Sequence, residues 1–231
     1  MIICLNNKCN LNRREFKDYQ MKLAKIETRD NLIVCPSLIN IPNYFLGNIR
    51  LGAQNVSAFE NGAHTGEVSA DMLKSYQVRY CIVGHSERRE FQKETLEEVK
   101  LKINQLINNH IVPILCVGET KEEKDKNQTL KRVEEELDSA LKDIDSKNII
   151  IAYEPIWSIG SGSIPTNSEI EEVIDFIKKK YPEAKVLYGG SVDETNIDEL
   201  KKINVIDGFL IGGLSLKPEK LKILLDKIAE K

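Results

Sequence analysis

The chain has 231 residues, of which 41% are hydrophobic, and its 33 basic and 36 acidic side chains leave a net charge of −3. This is the profile of a globular protein, with no electrostatic footprint for nucleic acid or an anionic membrane. No apolar run approaches the roughly 18 residues of a spanning helix, so neither nucleic acid nor membrane is an expected partner. The first stretch, MIICLNNKCNLNRREF, lacks the basic and long apolar regions of a secretion signal. The five cysteines, Cys4, Cys9, Cys35, Cys81 and Cys116, form no CxxC pair, and four lie in or beside apolar runs. They read as reduced core thiols of a cytoplasmic protein, and with the three histidines scattered no metal is expected.

Short β-branched runs recur along the chain at Ile2–Leu5, Leu32–Cys35, Ile49–Ala53, Tyr80–Val83, Val112–Val117, Ile149–Tyr153, Lys185–Tyr188 and Gly208–Ile211. Each is followed by a longer stretch with helical periodicity. The runs are continuously apolar rather than alternating, as parallel strands buried on both faces require. Between them, Thr95–Leu96–Glu97–Glu98 and Ser168–Glu169–Ile170–Glu171 fit the capping box. The charge run KEEKDK, Lys121 to Lys126, reads as a solvated loop. Pro218 suits the first position of a last helix, since it has no N–H to leave unpaired. No linker or composition break interrupts the series, so one domain over residues 1–231 is expected. Eight βα units predict an α/β fold closed into a (β/α)8 barrel, although a doubly wound open sheet shares the local pattern.

In such a barrel the chemistry sits where strands end and βα loops begin. After the first strand stand Asn6 and Lys8. The lysine can neutralise an anionic substrate, or form a Schiff base if desolvated, and its polar neighbours favour fixed charge. After the fourth strand His85 opens HSERREF, and a helix starting there would favour the neutral imidazole. His64 and His110 read as structural. Glycine pairs end the last two strands, in Gly189–Gly190–Ser191 and Gly212–Gly213–Leu214, where bare backbone amides can approach a phosphate. The sixth strand ends on Glu154, a candidate general base. Behind it, Pro155 and Trp157 make a stiff, anchored start to a segment whose tip, Gly160 and Gly162, can reach a ligand as a lid. One base, one neutral acid, one cation and one phosphate grip suit proton transfer beside a carbonyl in a small phosphorylated sugar.

Read in chain order, GAQN, GAHTGEVSA, GHSERR, AYEPIWSIGSG, YGGS and IGGLSLKP follow the pattern of the triosephosphate isomerase family. Across almost its whole length the chain resembles that family closely. The resemblance implies a TIM barrel that interconverts dihydroxyacetone phosphate and D-glyceraldehyde 3-phosphate through an enediolate, in glycolysis and gluconeogenesis, with no metal or organic cofactor. It makes Glu154 the proton-shuttling base, neutral His85 the electrophile, Lys8 the positive charge and Asn6 a residue that orients the substrate. The phosphate would rest on backbone amides of Gly160, Gly212 and Gly213 and on Ser191. The segment Gln54 to Glu67 looks like the family's loop that docks into a second subunit, which implies a homodimer. Two positions depart from the family: Asn7 stands where it has tryptophan, and Ser163–Ile164–Pro165 where Lys-X-Ala is common. Two other readings are an aldolase forming a Schiff base on Lys8 and a barrel without activity that serves as a binding protein.

Overall fold

A computed structural model of the chain describes residues 1–159 and 164–230. Its strands are β1 (Ile2–Asn6), β2 (Asn31–Cys35), β3 (Arg50–Ala53), β4 (Tyr80–Val83), β5 (Val112–Val117), β6 (Ile150–Tyr153), β7 (Lys185–Tyr188) and β8 (Gly208–Ile211). All run parallel, in sequence order, around a closed barrel. Each lies within one residue of the bounds read from the sequence. The continuous apolar runs are explained by two cores. Alternate residues such as Cys4, Ile33, Ile114, Cys116 and Leu187 fill the barrel interior. Their neighbours, such as Ile3, Leu115, Val117 and Val186, meet the outer helices. Four of the cysteines are buried free thiols, and the sulfurs of Cys4 and Cys35 lie 3.7 Å apart inside the barrel.

The outer layer consists of α1 (Arg13–Leu23), α2 (Ala70–Ser75), α3 (Ser86–Phe91), α4 (Leu96–Asn108), α5 (Lys121–Asp125), α6 (Thr129–Leu141), α7 (Asn167–Lys180), α8 (Ile197–Leu200) and α9 (Pro218–Ala229). The Thr95 capping box and the leading Pro218 are in place. Three expectations are corrected. The cap of α7 is Thr166, whose hydroxyl accepts from the Glu169 amide while Glu169 accepts from the Thr166 amide, and Ser168 lies inside the first turn. Both frames satisfy the motif, but the cap needs an extended residue, and Pro165 disfavours helix just before it. The run KEEKDK is helical rather than a loop: Thr120 caps α5, and the pairs Lys121–Asp125 (2.5 Å) and Glu122–Lys126 (2.6 Å) stitch it at i,i+4 spacing. Between β2 and β3 there is no α-helix, only a 3₁₀ turn, Leu38–Asn43, with Pro42 inside it removing a helical donor.

The barrel closes where β8 pairs with β1, Ile2 facing Gly208. A Cβ at Gly208 would overlap the Ile2 carbonyl, so only glycine lets the seam close. Gly208→Ala should lower the unfolding free energy by about 3 kcal/mol, the upper range for overpacking against backbone. Urea unfolding checks this, and an unchanged midpoint would show that the seam can shift at no cost.

Candidate active site

The site is assembled by strand ends. Immediately past β1 the chain turns: Lys8 adopts a left-handed φ of 52°, and Asn6 Oδ1 accepts the Lys8 amide at 3.0 Å. This local hydrogen bond supports a backbone conformation that residues other than glycine rarely adopt. The Lys8 ammonium donates to Glu87 Oε1 at 2.5 Å. Asn6, read as a substrate-orienting residue, therefore also shapes the turn that carries the cation.

At the end of β4, His85 is the N-cap of α3. Its Nδ1 accepts the backbone amide of Glu87 at 3.2 Å. An amide can only donate, so Nδ1 carries no proton and the neutral ring holds its single proton on Nε2. That nitrogen lies 3.3 Å from Glu154 Oε1.

At the end of β6, Glu154 is 2% exposed, and its Oε2 has no hydrogen-bond partner among the described residues. The side chain fits because position 189 has no Cβ, which would stand 2.8 Å from Glu154 Cγ. Beneath it, burial and the neighbouring Glu154 push the Cys116 thiol well above its ordinary value, so it stays an S–H. The loops after β7 and β8 complete the mouth. The Ser191 hydroxyl donates to the Ser158 carbonyl at 2.6 Å, which ties the β7 loop to the segment after β6. Gly212 gives the Lys8 stem its place: a Cβ there would sit 3.2 Å from Lys8 Cε. Gly213 is exposed and has nothing within 4 Å of its missing Cβ.

These groups surround one cavity of about 560 Å³, lined among others by Asn6, Lys8, His85, Glu154, Ser191 and Gly212. The structure thus brings together Asn6, Lys8, His85, Glu154, Ser191, Gly212 and Gly213. Gly160 lies outside the described residues, as do Gly162 and Ser163. His64 stacks on Phe59, ring centroids 4.2 Å apart, and His110 sits at the turn between α4 and β5, both away from the cavity.

Three further groups escaped the sequence reading. Glu87 holds both Lys8 and, through its amide, His85. Glu119, at the end of β5, is buried and accepts from Trp157 Nε1 at 2.7 Å and from the Tyr153 hydroxyl at 3.2 Å. Burial raises its carboxyl above the usual range. Lys124 of α5 stands 3.7 Å above the Trp157 ring. Glu119 had a visible signal, a carboxylate at a strand end like that of Glu154. Lys124 had none, because the run it belongs to had been read as a loop.

A closed parallel barrel whose mouth gathers a buried carboxylate, an imidazole with a fixed tautomer and a paired ammonium has the form of a barrel enzyme. The family is settled by comparison: the sequence model of triosephosphate isomerase matches residues 1–229, and the chain belongs to that family. It is 40% identical to the triosephosphate isomerase of Trichodesmium erythraeum (strain IMS101), over 95% of this chain and 94% of the relative. It is 39% identical to that of Alkaliphilus oremlandii (strain OhILAs), over 95% and 96%, and 46% identical to that of Mesomycoplasma hyorhinis, over 77% and 73%.

Because folding raises the Glu119 pKa, the unfolded chain releases this proton before the folded one does. Stability contributed by the protonated form is present below the ordinary carboxylate value, about 4.3, and is lost as pH rises through it toward the folded value. Glu119→Gln keeps an acceptor for Trp157 without this penalty. Its unfolding free energy relative to wild type should therefore climb from about pH 4.3 upward, as measured by urea titrations across that range. A pH-independent difference would mean that Trp157 and Tyr153 fully offset the burial.

Proposed function

We propose that Glu154, His85 and Lys8 carry out the reaction of the family to which the chain belongs, the interconversion of dihydroxyacetone phosphate and D-glyceraldehyde 3-phosphate. The observation that carries this reading is the Glu154–His85 pair. A buried carboxylate with one unpartnered oxygen lies 3.3 Å from an imidazole nitrogen that carries a proton. Glu154 removes a proton from the carbon beside the carbonyl, and Nε2–H of His85 donates to the carbonyl oxygen as charge gathers there. His85 passes a proton to the former carbonyl oxygen and takes one from the neighbouring hydroxyl, while the Glu154 carboxylic acid returns its proton to the former carbonyl carbon, so that the carbonyl has moved by one position and both groups are restored. Lys8 supplies fixed positive charge, and Asn6 shapes the turn that presents it. The amides of Gly212 and Gly213 hold the phosphate together with Ser191, whose hydroxyl is released from Ser158 when it takes this role. Gly160 joins them from the lid.

Lys8 is held in an ion pair with Glu87, whereas an aldolase would need its nitrogen free to attack a carbonyl. The groups named supply base, acid and charge, so the proposed reaction runs without metal or organic cofactor. We also take the chain to work as one domain over residues 1–231, in the cytoplasm, where thiols as close as those of Cys4 and Cys35 stay reduced. Among the described residues, no helix is long and apolar enough to cross a membrane.

An assay coupling dihydroxyacetone phosphate to glyceraldehyde 3-phosphate formation tests the activity. In that assay Glu154→Asp, which withdraws the carboxylate by one methylene, should lower kcat about a hundredfold. Binding of a phosphate-bearing inhibitor should be nearly unchanged. Turnover near that of wild type would remove Glu154 from the role of base.

A homodimer through the Gln54–Glu67 segment belongs to the same proposal. Residues 59–67 are all exposed, and the base of their loop is pinned by the Ser57 amide donating to the Val68 carbonyl at 2.8 Å. A second cavity of about 460 Å³ lies beside Lys8 and is lined by the exposed Leu38 and Phe91. It suits the loop tip of another copy. Thr65→Glu would bury an unpaired charge there, so sedimentation should show the variant shifted to monomer at concentrations where wild type is a dimer. If the variant remained dimeric, the interface would lie elsewhere.

A further inference from the structure

We propose that Asn7 is a positioning residue, which acts through Ser215 to set where the Lys8 ammonium stands over the phosphate cradle; the proposal rests on the roles of Lys8, Gly212 and Gly213 given above. Asn7 is 1% exposed, between the two polar residues that reach the cavity. Its Nδ2 donates to Ser215 Oγ at 3.2 Å and reaches the Tyr19 hydroxyl at 3.5 Å. Ser215 is wholly buried, and its Oγ donates in turn to the Asn6 carbonyl at 3.0 Å. The Asn7 side chain, the Ser215 hydroxyl and the peptide carbonyl before Asn7 thus close a small ring of hydrogen bonds.

That ring joins two loops that carry function. Ser215 belongs to the 3₁₀ turn Gly213–Leu216, which begins directly after Gly212. On the other side of the joint, the Lys8 stem lies against Gly212. The loops after β1 and β8 therefore touch twice, once through buried hydrogen bonds and once through Lys8 on the cradle. A slip in the first contact moves the second. The left-handed Lys8 turn adds leverage, because it follows at once on the carbonyl that Ser215 holds.

A merely structural amide would be a poor choice at this position. Asn7 Oδ1 is buried without a partner among the described residues, and an orphaned acceptor destabilises a fold. Leucine has the same branched outline with no polar atom to satisfy. Stability and positioning therefore predict opposite outcomes for Asn7→Leu. The variant should melt at or above the wild-type temperature. Its kcat/KM for triose phosphate should nevertheless fall between about tenfold and a hundredfold, the range for a displaced catalytic geometry.

The decisive comparison is a double-mutant cycle with Lys8→Met, read both as kcat/KM and as calorimetric affinity for a phosphate-bearing inhibitor. If Asn7 acts through Lys8, then Asn7→Leu adds almost nothing once Lys8 is gone. Full additivity, or a folded Asn7→Leu enzyme with wild-type kcat/KM, would overturn the proposal. Should Asn7→Leu not fold, Ser215→Ala breaks the ring at its other end and enters the same cycle with the same outcomes. If neither folds, the pair is structural and the proposal fails. Wild-type protein without isomerase activity would instead sink the functional reading, which keeps the two failures apart.

Discussion

The pairing of β8 back onto β1 sets the geometry of the mouth, because it makes neighbours of two loops that lie at opposite ends of the chain. Parallel strands must all point the same way, so every strand end in a closed barrel faces one rim. Closure then brings the cation of the first loop onto the glycines of the last. It needs glycine at position 208, where any side chain would meet the Ile2 carbonyl. The interior packing serves the same end. Small thiols and aliphatic groups such as Cys4, Cys35 and Ala152 fill the barrel with little polar demand, and the polar groups are left for the rim.

At that rim the site is economical with partners. Among the described residues Glu154 keeps one oxygen unpaired, and the single ring proton of His85 is directed by a backbone amide rather than by another side chain. The charges nearby are arranged at one remove. Glu87 holds the lysine, and its main chain fixes the histidine, so one residue of α3 orders both side chains.

The strands and the main catalytic candidates were legible because their signals are local. A fully buried parallel strand has to be a continuous apolar run, and a carboxylate, an imidazole or an ammonium at its end stands out against that run. Two departures arose where local signals compete, and a third where the deciding contact is elsewhere in space. Lys121 to Lys126 carries the charges of a solvated loop, yet the capping by Thr120 and the paired side chains make it helical. Thr166 and Ser168 open equally good capping boxes in sequence, and only the chain direction after Pro165 separates them. The glycine after β7 looked like part of an anion site. Its closest neighbour is instead the side chain of Glu154, a space requirement that no single-sequence pattern encodes.

Lys124 connects the turn after β6 to the start of α7. Its ammonium lies over the indole of Trp157 on one side and 2.9 Å from Glu169 on the other. Glu169 in turn caps Thr166 at the start of α7. The turn after β6 and the first turn of α7 are thus braced against each other by one side chain, like two uprights sharing a single crossbar.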